Sequence, residues 1–161
     1  MRASVGLYVT AVLISAFLLP DRVPLHFGGS GAADRYGSRT ELLLVEIAVG
    51  VLFAAVFGPG ARLLARAPLD LLNVPNPEYW KSPQHEAELR RRTVVDLRRI
   101  GTATFVFLTV LVALHTRAAV DGTNRLSSWS WVVVVAFVGY ILAFCGYLMR
   151  VRYRVDERSP G

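Results

Sequence analysis

The chain has 161 residues, 53% of them apolar and 19% charged, with 18 Lys and Arg against 12 Asp and Glu for a formal charge of +6. A single cysteine excludes an intrachain disulfide framework and a Cys-based metal site, and the apolar content excludes disorder. With a mean hydropathy of +0.42, what remains is a small polytopic membrane protein.

The first apolar stretch covers residues 3–19 and ends at Pro20. A helix needs about 20 residues to cross roughly 30 Å of hydrocarbon, and a shorter one crosses with local thinning. The outer loop, residues 20–41, is rich in Gly, Pro and Asp, so turns are expected there rather than regular structure. One turn is expected at Gly28-Gly29-Ser30-Gly31 and a second at Tyr36-Gly37-Ser38. The glycine-rich stretch is not a phosphate-binding loop, for it lacks the GK[ST] ending and its strand–helix setting. Phe27 and Tyr36 are expected to rest at the membrane interface and hold the loop down. Ser38 or Thr40 would cap the following helix, with Glu41 in its first turn.

Pro24-Leu25-His26-Phe27, then Gly31, then Asp34-Arg35-Tyr36-Gly37-Ser38-Arg39 form an ordered set of loop residues. In these the chain resembles the bacterial membrane family called domain of unknown function 1648, with Arg39 where lysine is common. The same signature occurs in the first loop of membrane proteins of peptide-toxin immunity and signalling. The resemblance covers residues 10–60 and implies recognition of a peptide or lipid through the outer loop. Asn73-Val74-Pro75-Asn76-Pro77-Glu78-Tyr79-Trp80 resembles a segment that follows the second span in single-module members, with Pro77 departing from it.

The second span is residues 42–61. It carries Glu46, a stripe of Gly50, Ala54 and Gly58 suited to close helix packing, and Pro59 as a kink or stop. In the inner loop, 62–99, prolines at 68, 75, 77 and 83 preclude one continuous helix. Tyr79 and Trp80 are expected at headgroup level. A new helix is expected from Ser82, with Pro83 at its first position, running over 83–118 through the third span (100–119) with a bend at Gly101. Glu86 with Arg90, and Glu88 with Arg92, stand in the stabilising i,i+4 order. Arg90, Arg91 and Arg92 form an inner basic patch, read as a topological anchor or as a contact for anionic lipid or a partner. The fourth span, 129–149, has no charge and carries Gly139 and Ala143 at packing spacing, with Trp129, Cys145 and Met149 as packing and interface residues.

These elements compose an all-α membrane protein of four transmembrane helices in an antiparallel bundle. With the N-terminus inside, only Arg22, Arg35, Arg39, Arg117 and Arg125 of the 18 basic residues lie outside. That bias places both termini in the cytoplasm. A nucleic-acid partner is not expected, since no basic face sits on a water-soluble fold. The excess of arginine over the single Lys81 points to the cytoplasmic membrane of a high-GC, actinobacterial host.

Glu46 is the most informative residue, lying about 6 Å into its span. An acid there marks a functional site by default. The topology sets His115 and Arg117 on the same side, with His26, Asp34 and Arg39 of the loop. Three readings stay open: a polar tether in which Arg39, Arg117 or loop amides hold Glu46; a ligand, proton or peptide site; and a metal site from His26, His115 and carboxylates, which are at no recognised ligand spacing. No cofactor and no catalytic triad are indicated. The function expected is non-enzymatic: an accessory or stabilising subunit of a larger membrane or envelope complex. The alternatives are a peptide or lipid sensor acting through the outer loop, and a small transporter or channel using Glu46.

Overall fold

The computed structural model describes residues 1–123 and 125–155; Arg158, counted among the inner bases, lies outside them. Helix α1 (Arg2–Leu18) buries Ser4, Tyr8, Val12 and Ser15. Steps of three and four residues align these on one stripe. The stripe packs chiefly on α5 (Glu86–Val120) and more lightly on α2 (Arg39–Ala55). At its centre Phe105 is fully buried, edge-on to Tyr8 with ring centroids 5.6 Å apart.

The outer loop corrects the all-α expectation. Strands β1 (Arg22–Phe27) and β2 (Ala33–Ser38) form an antiparallel hairpin, Arg22 opposite Ser38 and Val23 opposite Gly37. Its turn falls at the glycines, where Gly31 has φ +76° and donates to the Gly28 carbonyl at 2.8 Å. Tyr36-Gly37 is strand and not a second turn. Gly37 lets the Leu25 side chain and the Glu41 carboxylate lie close over the strand, and a Cβ there would make both turn aside. A two-stranded hairpin is marginal alone. This one lies on the bundle, where Val23 joins Leu19, Leu42 and Ala119 in a small core.

Ser38 caps α2, accepting from the Glu41 amide at 3.1 Å. Pro59 does not stop the helix. A π-helical turn over Val56–Gly60 takes up the proline and the chain continues as α3 (Ala61–Ala65), as expected where a proline removes a backbone donor. Beyond it come a 3₁₀ turn (Leu69–Leu71) and the short α4 (Pro77–Trp80), entered through Asn76 at φ 54°. Trp80 corrects its expected place at headgroup level: it is buried with Leu72, Val74, Leu89 and Tyr153 in a second small core, while Tyr79 stays exposed. The long helix begins at Glu86, because Ser82–His85 form a turn in which the Ser82 carbonyl accepts from both His85 and Glu86 amides. It runs unbroken through Gly101. That glycine admits the close approach of Phe57, whose Cβ would lie 2.6 Å from an added Cβ.

Helix α6 (Trp129–Tyr147) continues through a π-helical turn over Leu148–Arg152. It meets the rest of the bundle along α5, where Phe107 and Phe137 stack at 4.3 Å. Gly139 and Ala143 therefore do not serve packing within the chain: both are exposed, and nothing lies within 4 Å of a Cβ added at Gly139. Gly50 does, since an added Cβ would lie 2.5 Å from Tyr8; Ala54 packs against the same cluster, and Gly58 lies near Met1. Among the described residues, three helices are long and apolar enough to cross a membrane: Arg39–Ala65, Glu86–Val120 and Trp129–Arg152. Helix α1 is apolar but, at 17 residues, shorter.

Both ends of the bundle are clasped. At one, Ala32 bridges Arg125, and the Leu126 amide donates to the Gly31 carbonyl at 2.9 Å. At the other, Trp80 Nε1 and Asn76 Nδ2 donate to the Tyr153 carbonyl at 2.9 and 3.1 Å.

Candidate functional site

The expected outer cluster resolves into three separate sets of contacts. Glu46 is buried, as an acid four residues into the apolar run of α2 must be unless it faces water. Its partners lie on α1, however, and not in the loop. The Ser15 hydroxyl, 2.8 Å from the Val12 carbonyl, shares its proton with Glu46 Oε2 at 3.3 Å, and the Tyr8 hydroxyl donates to the Glu46 carbonyl at 2.6 Å. Arg39 instead donates to the Leu19 carbonyl at 3.3 Å and stands 3.5 Å from Asp21. Arg117 faces Asp121 at 3.3 Å on an exposed surface.

His115 forms the second set. Its Nε2 lies 2.7 Å from the Pro24 carbonyl, so the Nε2–H tautomer donates there, and its ring meets Phe27 edge-on at 5.2 Å. This pins β1 onto α5, and Phe27 holds the loop to the protein by this contact. The third set is on the hairpin surface, where His26 Nδ1 and Asp34 Oδ1 are 2.6 Å apart and both exposed. Tyr36 lies beneath the Arg22 guanidinium at 5.5 Å. Among the described residues no group of three His, Cys, Asp or Glu side chains could hold a metal ion.

The inner basic patch is likewise redistributed. Arg90 donates to the carbonyls of Ala65 and Ala67 at 2.5 and 2.9 Å and to Glu86 at 2.8 Å, so it closes the end of α3. Arg92 lies over the Trp80 ring at 4.5 Å, pairs with Glu88 at 2.7 Å and donates to the Arg152 carbonyl. Only Arg91 of the three is exposed, and it grips Glu88 through two bonds of 2.7 Å. Hydrogen bonds from Arg91 and Arg92 pull the Glu88 carboxyl down to about 2.

Beside them stands Asp96, which sequence reasoning missed. It is 4% exposed. Arg152 Nε and the Tyr153 hydroxyl donate to its Oδ2 at 2.7 and 3.1 Å, while Oδ1 has no hydrogen bond and lies 3.7 Å from Arg99. Burial, then the Asp96 charge, pushes the Tyr153 phenol up to about 12. The signal available in sequence was an acid among Val94, Val95 and Leu97, weaker than that at Glu46 because arginines stand close on both sides. A cavity of about 360 Å³ adjoins it, lined by Asp96, Thr93, Leu72, Val74, Cys145 and Met149 among others. Apolar walls with few polar groups suit an amphipathic molecule.

Similarity to a described family lies in the first two helices and the hairpin between them. Residues 4–51 match the family described as Domain of unknown function (DUF1648). No curated protein and no solved structure matches the chain. The DUF1648 region contains most of α1, both strands and most of α2, and with them Tyr8, Ser15, Glu46, Gly50 and the His26–Asp34 pair. The Asp96 network and α6 fall outside it.

Proposed function

We propose that the protein is a non-enzymatic, four-span protein of the bacterial cytoplasmic membrane, both termini inside, that serves as an accessory subunit of a larger membrane complex. The observation that carries this reading is α6. None of its membrane-length window is buried inside the chain, against 22% for the helix over Arg39–Ala65 and 33% for α5. An apolar helix that the chain clasps at both ends yet covers only on its α5 face is suited to packing against another protein's helix. Anionic lipids at the inner surface complete its environment.

The test is photo-cross-linking in native membranes, with a reactive amino acid at Val135 or Leu142 on α6 and, as control, at Phe17 on α1. The same protein adduct from both α6 positions, absent from Phe17, is expected. Adducts to lipid alone, or to a second copy of this chain, would overturn the subunit reading.

A second reading rests on the hairpin: its exposed face presents His26, Asp34, Arg22 and Tyr36 while His115 fixes its base. That favours a peptide or lipid sensor, in keeping with the immunity and signalling resemblance. The transporter reading rested on Glu46, whose engagement by Ser15 favours a structural tether instead.

A further inference from the structure

Between α5 and α6 runs a groove of about 500 Å³. Its α5 wall comprises Arg99, Thr102, Ala103, Val106, Phe107 and Val110, one face of the helix by their spacing of one, three and four residues. Val133, Ala136, Phe137 and Tyr140 form the opposite wall. From Arg99 to Val110 the groove extends roughly 16 Å along the axis of α5. The lining is apolar except for Arg99 and Thr102 at the inner end of the α5 wall and Tyr140 at the inner end of the α6 wall.

The polar groups at that end have unused capacity. Thr102 is satisfied internally, donating to the Arg98 carbonyl at 2.8 Å. The Tyr140 hydroxyl makes no hydrogen bond among the described residues, although its ring stacks on Phe144 at 5.9 Å. Arg99 is 3.7 Å from Asp96 Oδ1, beyond hydrogen-bond reach, and the charge of that carboxylate is already met by Arg152 at 2.7 Å. Half of the Arg99 side chain is exposed. A half-exposed guanidinium, held only by a 3.7 Å ion pair to a carboxylate it shares with Arg152, thus lines an apolar groove together with a phenol that makes no hydrogen bond among the described residues.

We propose that this groove is a binding site for one anionic phospholipid of the inner leaflet, its phosphate on Arg99, its glycerol-ester region within reach of the Tyr140 hydroxyl and an acyl chain along the groove. Charge selects the headgroup, since Arg99 is the one charged residue lining the groove and a guanidinium matches a phosphate bidentately. Size selects a chain over a helix. A helix of 10–12 Å diameter over the same length would occupy more than about 1,000 Å³. Such a lipid would fill the seam by which α6 meets the bundle. The site rests on α5 and α6 crossing the bilayer and not on any protein partner. A protein that purifies alone would defeat the subunit reading and leave this one standing.

The experiment is native mass spectrometry of the full chain, delipidated in mild detergent and titrated with phosphatidylglycerol or phosphatidylcholine. The wild type is expected to retain one phosphatidylglycerol about fivefold better than phosphatidylcholine, the effect of one basic residue at an anionic headgroup. Arg99→Ala is expected to abolish that preference, Arg99→Lys to keep most of it, and Arg91→Ala to leave it unchanged. Ala136→Phe, which fills the groove, is expected to lose both lipids. Equal retention of the two lipids by the wild type would overturn the proposal. So would an undiminished preference in Arg99→Ala, or displacement of the lipid by inorganic phosphate alone. Should Ala136→Phe fail to fold, the Arg99 pair decides the question.

Discussion

At the scale of single residues, the two buried acids carry different burdens. Asp96 is a charge whose partner, Arg152, comes from 56 residues away, and removing either leaves the other stranded in a largely buried setting. Asp96→Ala is therefore expected to cost about 3 kcal/mol, at the lower end for a broken buried pair because Arg152 keeps some access to water. Denaturation in micelles followed by Trp80 fluorescence measures it, and the double variant Asp96→Leu, Arg152→Leu should recover much of the loss. Glu46 was legible as a buried acid because nothing else polar surrounds it in the sequence. Its partner was not, since serine is common in apolar helices and nothing local says which way Ser15 turns. Asp96 escaped notice for the opposite reason. Arginines on both sides make its stretch of α5 read as a solvated face, and its burial is supplied by the C-terminal segment.

At the scale of elements, the inner segment and the end of α6 behave as one clasp, and its dependence on pH has a defined sign. The Tyr153 phenol is raised from 10.0 to about 12 in the folded protein. Its contribution is therefore complete below pH 10 and is lost as pH rises through about 12. Trp80, buried against it, should shift its emission to the red over that range, and Tyr153→Phe should remove this limb. Glu88 has the reverse sign. Lowered from 4.5 to about 2, it contributes above pH 4.5 and loses that contribution as pH falls towards 2. It is solvated, so the acid limb is expected to be small. The clasp was not legible, because a run with four prolines does not reveal that Trp80 turns inward to a carbonyl at Tyr153. The hairpin was obscured similarly: Pro24 and Gly37 are both poor strand residues, but a two-stranded sheet has only edges, where proline is tolerated.

At the scale of the whole molecule, the apolar stretches were plain in composition and length, and the helices follow them within a few residues. Their arrangement was not, because helices apolar on every side do not announce their neighbours. The four-span topology is open to a direct test in a Cys145→Ala background. A cysteine at Ser30 should react with a membrane-impermeant maleimide from outside intact cells, and one at Gln84 only after permeabilisation. The reverse pattern would invert the topology, and labelling of both from one side would remove a crossing.

The contact of Tyr8 and Ser15 with Glu46 has a consequence for biosynthesis. Chains grow from the N-terminus at about 5–20 residues per second, so Phe105 is made roughly 3–12 s after Glu46. Through that interval α1 lacks the helix on which it finally packs. The Tyr8 and Ser15 hydroxyls can already bind Glu46, and the DUF1648 segment holds all three. That segment is thus equipped to wait in the bilayer as a paired intermediate until α5 is inserted beside it.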